Sequence, residues 1–337
     1  MKLALLDPQG LYPDQAFPKG ASQPDEKSAV PLGIRGYAAC TGGALFRKDQ
    51  AIPAEQKEVL LLLGKSLKAC RQAILELRAA GKTVAIAWRE ADPAGIATRL
   101  AKSAELQLFQ EICARVDGAI AGTLDLVTFF TAAGVRHTEF IPAPLPVEDA
   151  AWDFSKPLEE RRGILVGTHE FAAPNRQHLA GLLVIRQLAA SMYETVTILN
   201  TQGWRGRRMI VRLGFDEQLV RVVEERLTYA RYLRILAHHK LVWQLDASGG
   251  AGQVAGDALL ARVPCVGGLG TTERLVFPEL CGHGRTTEQL FDLAARLLEH
   301  PHDCADVITR AVDHAKASLS FATVERKLTD FFRRIGR

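Results

Sequence analysis

The sequence predicts an α/β protein with two parallel-sheet domains, and three observations lead to this class. Short apolar segments alternate along the chain with longer segments of helical periodicity, which is the pattern of strand–helix–strand units. A length of 337 residues suits two domains rather than one. Four prolines between positions 142 and 157 indicate a semi-rigid linker between the two halves.

Composition and charge limit the class of protein. Hydrophobic residues make up 47% of the chain and charged residues 24%, which is typical of a soluble globular protein. The formal net charge of +4 is small for this length and does not indicate a nucleic-acid partner. No apolar run approaches the roughly 20 residues that a membrane span needs, and the start of the chain does not resemble a signal peptide. We therefore expect a cytoplasmic protein.

The cysteines argue against both a metal site and a disulfide framework. They are scattered without C-x-x-C pairs, and several lie in apolar context, which suggests reduced core residues and no metal site. They are Cys40, Cys70, Cys113, Cys265, Cys281 and Cys304.

The first half begins with a short apolar strand, Leu3 to Leu6, and a long segment rich in proline, glycine and aspartate over residues 7–36. After the first strand of a parallel sheet, such a segment lies at the carboxyl edge, where ligands bind. Residues 54–80 carry apolar side chains at steps of three and four, which predicts one long helix. Thr83 to Trp88 is predicted as a strand, and Arg89 and Glu90 at its end could face the ligand or solvent.

The pattern continues to the linker. We predict a helix over residues 95–115, a strand over 118–121, a helix over 123–133 and a strand from 138 that leads into the proline-rich segment. The last amphipathic segment places Val324, Leu328, Phe331 and Ile335 on one helical face.

In the second half, a strand over residues 163–167 leads into a turn that contains His169 and Arg176. A helix over 177–190 and strands over 196–199 and 219–223 follow. Between these strands lies Trp204-Arg205-Gly206-Arg207-Arg208, whose arginines could bind phosphate, lie in a solvated loop or contact an anionic membrane surface.

Residues 241–270 form the most informative stretch. We predict a buried strand over 241–245, a glycine-rich turn over 247–252, a helix over 253–262 and a second strand from Cys265. A strand and a glycine turn that open a helix present free N–H groups to an anion. Neither the G-x-G-x-x-G nor the P-loop spacing is present. Asp257, one turn into the helix, could reach a ribose hydroxyl, or it could be a solvated acid in a plain strand–turn–helix unit.

This stretch resembles the nucleotide-sugar half of GT-B glycosyltransferases. There, a glycine turn is followed by an acid, Ala-Leu, any two residues, a glycine, any one residue, and a proline before an apolar strand. The run from Asp257 through Ala258, Leu259 and Pro264 to Val266 is similar, with Arg262 in place of the glycine. The second glutamate that many retaining members carry eight residues earlier is replaced by Gly249.

The resemblance implies two Rossmann-like parallel-sheet domains that face each other across a cleft, with a C-terminal helix that crosses back to the first domain. It implies residues 1–150 as the acceptor domain, 151–315 as the donor domain and 316–337 as that helix. It also assigns the donor site. The implied donor-binding residues are Arg176, Ser248, Gly249, Gly250, Gln253, Asp257 and Glu273.

The activity implied is transfer of a sugar, of the hexosyltransferase type, from a UDP- or GDP-linked donor without a bound metal or cofactor. His169 and Glu273 are the candidate catalytic residues. The acceptor could be a glycan, a lipid-linked sugar or a small molecule, and the protein could contact the inner membrane face. No nucleic-acid partner is expected. Two alternatives remain: a nucleotide-sugar epimerase, and a non-catalytic binding or scaffold protein with the same fold.

Overall fold

The computed structural model describes residues 1–8, 10, 12–20, 24, 30–89 and 92–336. The chain divides into two compact units. The first comprises Met1–Gln23, Ala29–Glu148 and Lys316–Arg337, and the second comprises Pro24–Ser28 and Asp149–Ala315.

Twelve strands are found in the described part of the chain, and they form one sheet in each unit. Those of the first unit are β1 (Ala4–Leu6), β2 (Gln15–Ala16), β3 (Ala44–Phe46), β4 (Glu58–Leu63), β5 (Thr83–Trp88), β6 (Gly118–Ala121) and β7 (Thr138–Phe140). Those of the second are β8 (Ile164–Val166), β9 (Val196–Leu199), β10 (Val220–Val223), β11 (Leu241–Trp243) and β12 (Cys265–Val266).

Most helices of the described residues lie between these strands, and the last four follow β12. They are α1 (Arg35–Thr41), α2 (Leu67–Ala79), α3 (Pro93–Leu100), α4 (Ser103–Cys113), α5 (Leu124–Ala132), α6 (His178–Met192), α7 (Trp204–Arg212), α8 (Tyr229–Ala237), α9 (Gln253–Leu260), α10 (Thr271–Val276), α11 (Thr287–Glu299), α12 (Pro301–Ser318) and α13 (Phe321–Ile335). The described part of the chain contains no helix with the length and hydropathy that a bilayer crossing requires.

The first sheet has the strand order β2-β3-β1-β4-β5-β6-β7, and all its pairs are parallel except β2 with β3. Alternate side chains of its strands enter two separate hydrophobic clusters, because successive residues of a strand point to opposite faces. One cluster contains Leu61 and Ile74 of α2. The other contains Leu60, Tyr37 of α1 and Phe331 of α13, so the last helix of the chain packs in the first unit.

The second sheet has the order β10-β9-β8-β11-β12 and is parallel throughout. From β8 the chain proceeds through β9 to β10 on one side. It then returns to place β11 on the other side of β8. The strand order therefore reverses between β8 and β11. Such a switch point is where open parallel sheets bind ligands.

The predicted α/β class with parallel sheets is confirmed, but two predicted elements are wrong. Residues 54–80 are not one helix, because Glu58–Leu63 forms strand β4, paired with both β1 and β5. Ser66 then begins α2, since its hydroxyl accepts a hydrogen bond from the Ala69 N–H at 3.2 Å. Residues 95–115 contain two helices, α3 and α4.

For the arginine-rich segment the sequence left a solvated loop open as one of three alternatives, and the structure shows a helix instead. This helix, α7, begins at Trp204. Gly206 and Ile210 of this helix are buried, and this burial supplies the apolar contact that a short arginine-rich helix needs.

Candidate functional site

A cavity of about 520 Å³ lies in the second unit, at the carboxyl edge of its sheet. Its walls come from the turns that follow β8, β9, β10 and β11 and from the starts of α8 and α9. The lining residues are Gly167, Thr168, His169, Glu170, Arg176, Leu199, Thr201, Val223, Glu225, Arg226, Leu227, Tyr229, Tyr232, Asp246, Gln253, Val254 and Asp257. The cavity therefore opens at the switch point between β8 and β11.

The glycine turn after β11 is accessible rather than covered by side chains. Ser248, Gly249 and Gly250 are half-buried, and Gly249 and Gly252 have φ angles of +65° and +80°, which favour glycine. The Ser248 N–H donates to Asp246 Oδ1 at 2.8 Å and closes the first bend. Within the described ranges, no protein acceptor is bonded to the N–H groups of Gly249, Ala251 or Gly252. The turn thus keeps several free donors at the start of α9.

Glu273 lies behind this turn and is almost fully buried, at 1% exposure. Its Oε1 accepts a hydrogen bond from Gln244 Nε2 at 2.8 Å, and its Oε2 has no hydrogen-bond partner. A Cβ atom on Gly252 would lie 2.0 Å from that Oε2, so only glycine fits there. Burial raises the pKa of Glu273 to about 7. Glu273 supports the turn from the side away from the cavity lining.

Arg176 stands at the other side of the switch point, in a short 3₁₀ turn, Pro174–Arg176, that precedes α6. Its guanidinium forms an ion pair with Asp246, and its Nη1 lies 3.4 Å from Ser248 Oγ. The Ala247 N–H donates to the Asn175 carbonyl at 2.7 Å. These contacts join the turn after β8 to the turn after β11 and place one cation beside the glycine turn.

Asp257 is held in a polar cluster at the cavity wall. Its Oδ1 accepts hydrogen bonds from the Tyr229 hydroxyl and, at 2.6 Å, from Gln253 Nε2. The residue is only 4% exposed, and burial raises its pKa to about 7 although these hydrogen bonds act to lower the pKa. Burial likewise raises the pKa of Tyr229 and Tyr232 well above the ordinary tyrosine value. The carboxyl group of Asp257 is therefore already well supplied with donors.

The turn after β8 brings a second buried group close to the cavity. Thr168 Oγ1 and His178 Nδ1 lie 3.0 Å apart, and Phe171 packs edge-on against the imidazole with ring centroids 4.5 Å apart. Burial lowers the pKa of His178 to about 4, so this imidazole is neutral near pH 7. His169, by contrast, is exposed enough to line the cavity and lies 3.8 Å from Glu170.

The structure brings most of the sequence-predicted donor residues together. His169, Arg176, Gln253 and Asp257 line the cavity. Ser248, Gly249 and Gly250 lie in the adjoining turn, while Glu273 lies behind it. The epimerase alternative would need His169 and Glu273 to converge on a sugar, and Glu273 does not line the cavity.

Sequence reasoning missed Tyr229, Tyr232 and Asp246 as site residues. In the sequence the two tyrosines stand shortly before the predicted strand at 241–245, but only the fold shows that their hydroxyl groups lie beside Asp257. In the first unit, Arg89 pairs with the buried Asp7 at 3.2 Å, and Glu90 lies outside the described residues. No group of three or more metal-ligating side chains that could hold a metal ion occurs among the residues that the structure describes.

Neither a comparison with protein-family models nor a comparison with curated protein sequences finds a match. Comparison with solved structures finds many. One is an α,α-trehalose 6-phosphate synthase from Burkholderia multivorans, with a TM-score of 0.64 and 11% identity over 86% of this chain and 74% of that chain.

Two further solved structures have bound ligands. A trehalose-6-phosphate protein from E. coli, bound with UDP-2-fluoro glucose, has a TM-score of 0.64 and 12% identity over 85% of this chain and 75% of that chain. A TarM variant from S. aureus, in complex with fondaparinux, alpha-GlcNAc-glycerol and UDP, has a TM-score of 0.61 and 12% identity over 88% and 58%. By its fold, the chain is therefore similar to GT-B glycosyltransferases.

Proposed function

We propose that this protein is a glycosyltransferase whose nucleoside diphosphate sugar binds in the cavity of the second unit. The observation that carries the proposal is the position of the cavity at the β8–β11 switch point. There, a glycine turn with free N–H groups adjoins the polar cluster of Tyr229, Gln253 and Asp257. A volume of about 520 Å³ is in the range of cofactor-sized sites. The similarity of fold to proteins bound with UDP or UDP-2-fluoro glucose supports the same donor class.

The diphosphate is proposed to lie against the glycine turn. The free N–H groups of Gly249, Ala251 and Gly252 would donate to phosphate oxygens, and the first turn of α9 adds the positive end of a helix dipole. Arg176 would supply a cation on the opposite side, because its guanidinium can donate to a phosphate and to Asp246 together.

The ribose is proposed to contact Tyr229 and Gln253 rather than Asp257 directly. Oδ1 of Asp257 already accepts two hydrogen bonds, and the residue is nearly inaccessible. Since the Tyr229 hydroxyl donates its hydrogen bond to Asp257, its oxygen can still accept a hydrogen bond from a ribose hydroxyl. In this arrangement Asp257 orients Tyr229, and Tyr229 contacts the ligand.

The base is proposed to occupy the far end of the cavity, beyond the ribose. Leu199, Val223 and Leu227 give that end apolar walls, which suit the faces of a planar base. Thr201 and Glu225 provide polar groups at its edge.

The chemistry requires that the bond between the anomeric carbon and the diphosphate oxygen break while the acceptor oxygen bonds to the anomeric carbon. The proton of the acceptor hydroxyl passes to a base, which is either a protein side chain or the departing diphosphate itself. Negative charge then grows on the departing diphosphate. Donors that are already in place, such as the turn N–H groups, stabilise that charge without reorganisation, which is commonly the largest contribution to catalysis. This proposal requires no metal ion, because the protein supplies the compensating dipoles and the Arg176 charge.

The test has a binding step and a transfer step. Isothermal titration with UDP, GDP and ADP should give sub-millimolar binding for at least one, and the nucleoside without phosphates should bind more weakly. Incubation with the matching nucleotide sugars and a panel of sugar acceptors should release the diphosphate in the presence of EDTA. If no nucleotide binds, the proposal is wrong.

One observation favours a second candidate, a non-catalytic binding protein with the same fold. Among the described residues, four acids line the cavity, Glu170, Glu225, Asp246 and Asp257, against two arginines. Arg176, the cation nearest the glycine turn, is paired with Asp246. Nucleotide binding without transfer to any acceptor, and without release of the diphosphate, would support this second candidate.

A further inference from the structure

The outer face of α7 combines exposed apolar and basic side chains. Trp204 and Val211, seven positions apart and so on one face of the helix, are 68% and 72% exposed. The arginines of the helix are exposed as well. The α7 outer face, as we define it, consists of Trp204, Arg205, Arg207, Arg208, Val211 and Arg212.

The orientation of this face is determined by the buried side of the helix. Gly206 and Ile210 pack inward, and a Cβ atom on Gly206 would lie 2.0 Å from Asn200 Oδ1. At Gly206 the helix lies so close to Asn200 that a residue with a side chain does not fit there, and this contact fixes the rotation of the helix about its axis. Trp204 and Val211 consequently point outward, and no described residue of their own unit covers them.

The charge on the face is only partly compensated. Arg207 forms an ion pair with Glu224. The Arg205 guanidinium lies 5.7 Å from the centre of the Trp204 ring. Arg205, Arg208 and Arg212 have no ionic partner among the described residues. α7 itself contains no acidic residue, although Asp216 and Glu217 follow its end.

We propose that the α7 outer face binds the surface of an anionic lipid bilayer. Arginines would contact lipid phosphates, while Trp204 and Val211 enter the boundary between headgroups and acyl chains, as in interfacial amphipathic helices. A nucleic acid would match the arginines and could stack on a tryptophan, but it offers nothing to an exposed valine at the same face. The valine is why a lipid surface fits better.

Tryptophan fluorescence offers a direct test, because Trp204 differs from the other three tryptophans. Trp88, Trp152 and Trp243 are buried, so a change caused by vesicles reports on Trp204. Vesicles of phosphatidylcholine with 30 mol% phosphatidylglycerol should shift the emission to shorter wavelength, and brominated lipids should quench it. Vesicles of phosphatidylcholine alone should have a much smaller effect.

Variants separate the two components of the face. Arg208→Gln with Arg212→Gln should lower partition into the anionic vesicles roughly 25-fold, at about fivefold per arginine. Val211→Ser should weaken partition and reduce quenching. The matched control, Arg136→Gln with Arg326→Gln, removes the same charge from exposed positions of the first unit and should change partition little. High salt should weaken binding because it screens the arginines.

Several outcomes would overturn the inference. One is an unchanged Trp204 emission with the anionic vesicles. Another is equal loss of partition in the test and control variants. A third is a shift with single-stranded RNA that exceeds the shift with vesicles, which would assign the face to nucleic acid. These measurements need no nucleotide, so they are independent of the proposed transfer activity.

Discussion

The Tyr229 hydroxyl donates a hydrogen bond to Oδ1 of Asp257, although the two residues are 28 positions apart in the chain. Gln253 Nε2 reaches the same oxygen at 2.6 Å and lies 3.3 Å from the Tyr229 hydroxyl. A buried carboxyl group thus orients a phenol at a cavity wall. Asp257, which the resemblance to GT-B glycosyltransferases implies as the ribose ligand, is in this arrangement a group that positions another residue.

Tyr229→Phe should weaken nucleoside diphosphate binding by roughly two- to tenfold, the value of one neutral hydrogen bond. Removing the Tyr229 hydroxyl and removing the ribose hydroxyl that it contacts break the same hydrogen bond, so the two losses of affinity should not add. We expect either the 2′-deoxy or the 3′-deoxy nucleotide to lose affinity for the native protein and to lose nothing further in the variant. Titration calorimetry with the three nucleotides measures this cycle. Tyr193→Phe, at an 86% exposed tyrosine, is the control. Additive losses would show that Tyr229 does not contact the ribose.

Asp257→Asn should change how stability depends on pH. The folded-state pKa of about 7 lies above the ordinary value of 3.8, so the folded protein holds a proton that the unfolded chain releases between these pH values. This stabilising contribution is complete below about pH 4 and is lost as pH rises to about 7. The difference in unfolding free energy between native protein and variant should fall by at most about 1.4 kcal/mol per pH unit in that window.

Urea unfolding at several pH values measures the difference. His178 and His239, whose folded-state pKa values are lowered to about 4 by burial, contribute in the opposite direction. Their effect is common to both proteins and cancels in the comparison. A difference that does not vary between pH 4 and 7 would contradict the raised pKa of Asp257.

Gly252→Ala should destabilise the protein far more than Gly284→Ala does. Both glycines have positive φ angles, +80° and +72°, so the two substitutions share the cost of a left-handed backbone, about 1 kcal/mol. Only the Gly252 variant also forces a Cβ atom to within 2.0 Å of Glu273 Oε2, whereas nothing lies within 4 Å at Gly284. Thermal unfolding of both variants gives the comparison. Glu273→Ala should recover part of the loss at Gly252, and equal destabilisation of the two variants would refute this account.

Arg176→Ala should weaken binding of a nucleoside diphosphate by roughly ten- to hundredfold, as expected for a lost charged hydrogen bond. Binding of the unphosphorylated nucleoside should change little, since the base and ribose are proposed to lie elsewhere in the cavity. Arg296→Ala is the matched control, because it breaks a similar arginine–aspartate pair, with Asp303, on the surface. A nucleoside that loses affinity as strongly as the diphosphate would place Arg176 away from the phosphates.

Much of the fold could be predicted because the relevant signals are local. The strand Thr83–Trp88 and the helix that begins at Gln253 follow from apolar runs and glycine positions over short stretches. Strand β4 could not be predicted in this way, because Glu58–Leu63 is apolar almost throughout and continues the three-and-four spacing of the following helix. A buried parallel strand lacks the alternation of apolar and polar residues that distinguishes a strand from a helix. The pairing of this segment with β1 and β5 therefore determines that it is a strand.

For the candidate site, the sequence by itself determined that a glycine turn with free N–H groups follows a buried strand and precedes Asp257. These features depend on neighbouring residues and on the backbone freedom of glycine. Only the tertiary structure decided three contacts: the ion pair of Arg176 with Asp246, the hydrogen bond of Tyr229 to Asp257, and the packing of Glu273 against Gly252. The reason is physical: the strand order of the second sheet brings distant turns to one edge, and burial there raises the pKa of Asp257 and of Glu273.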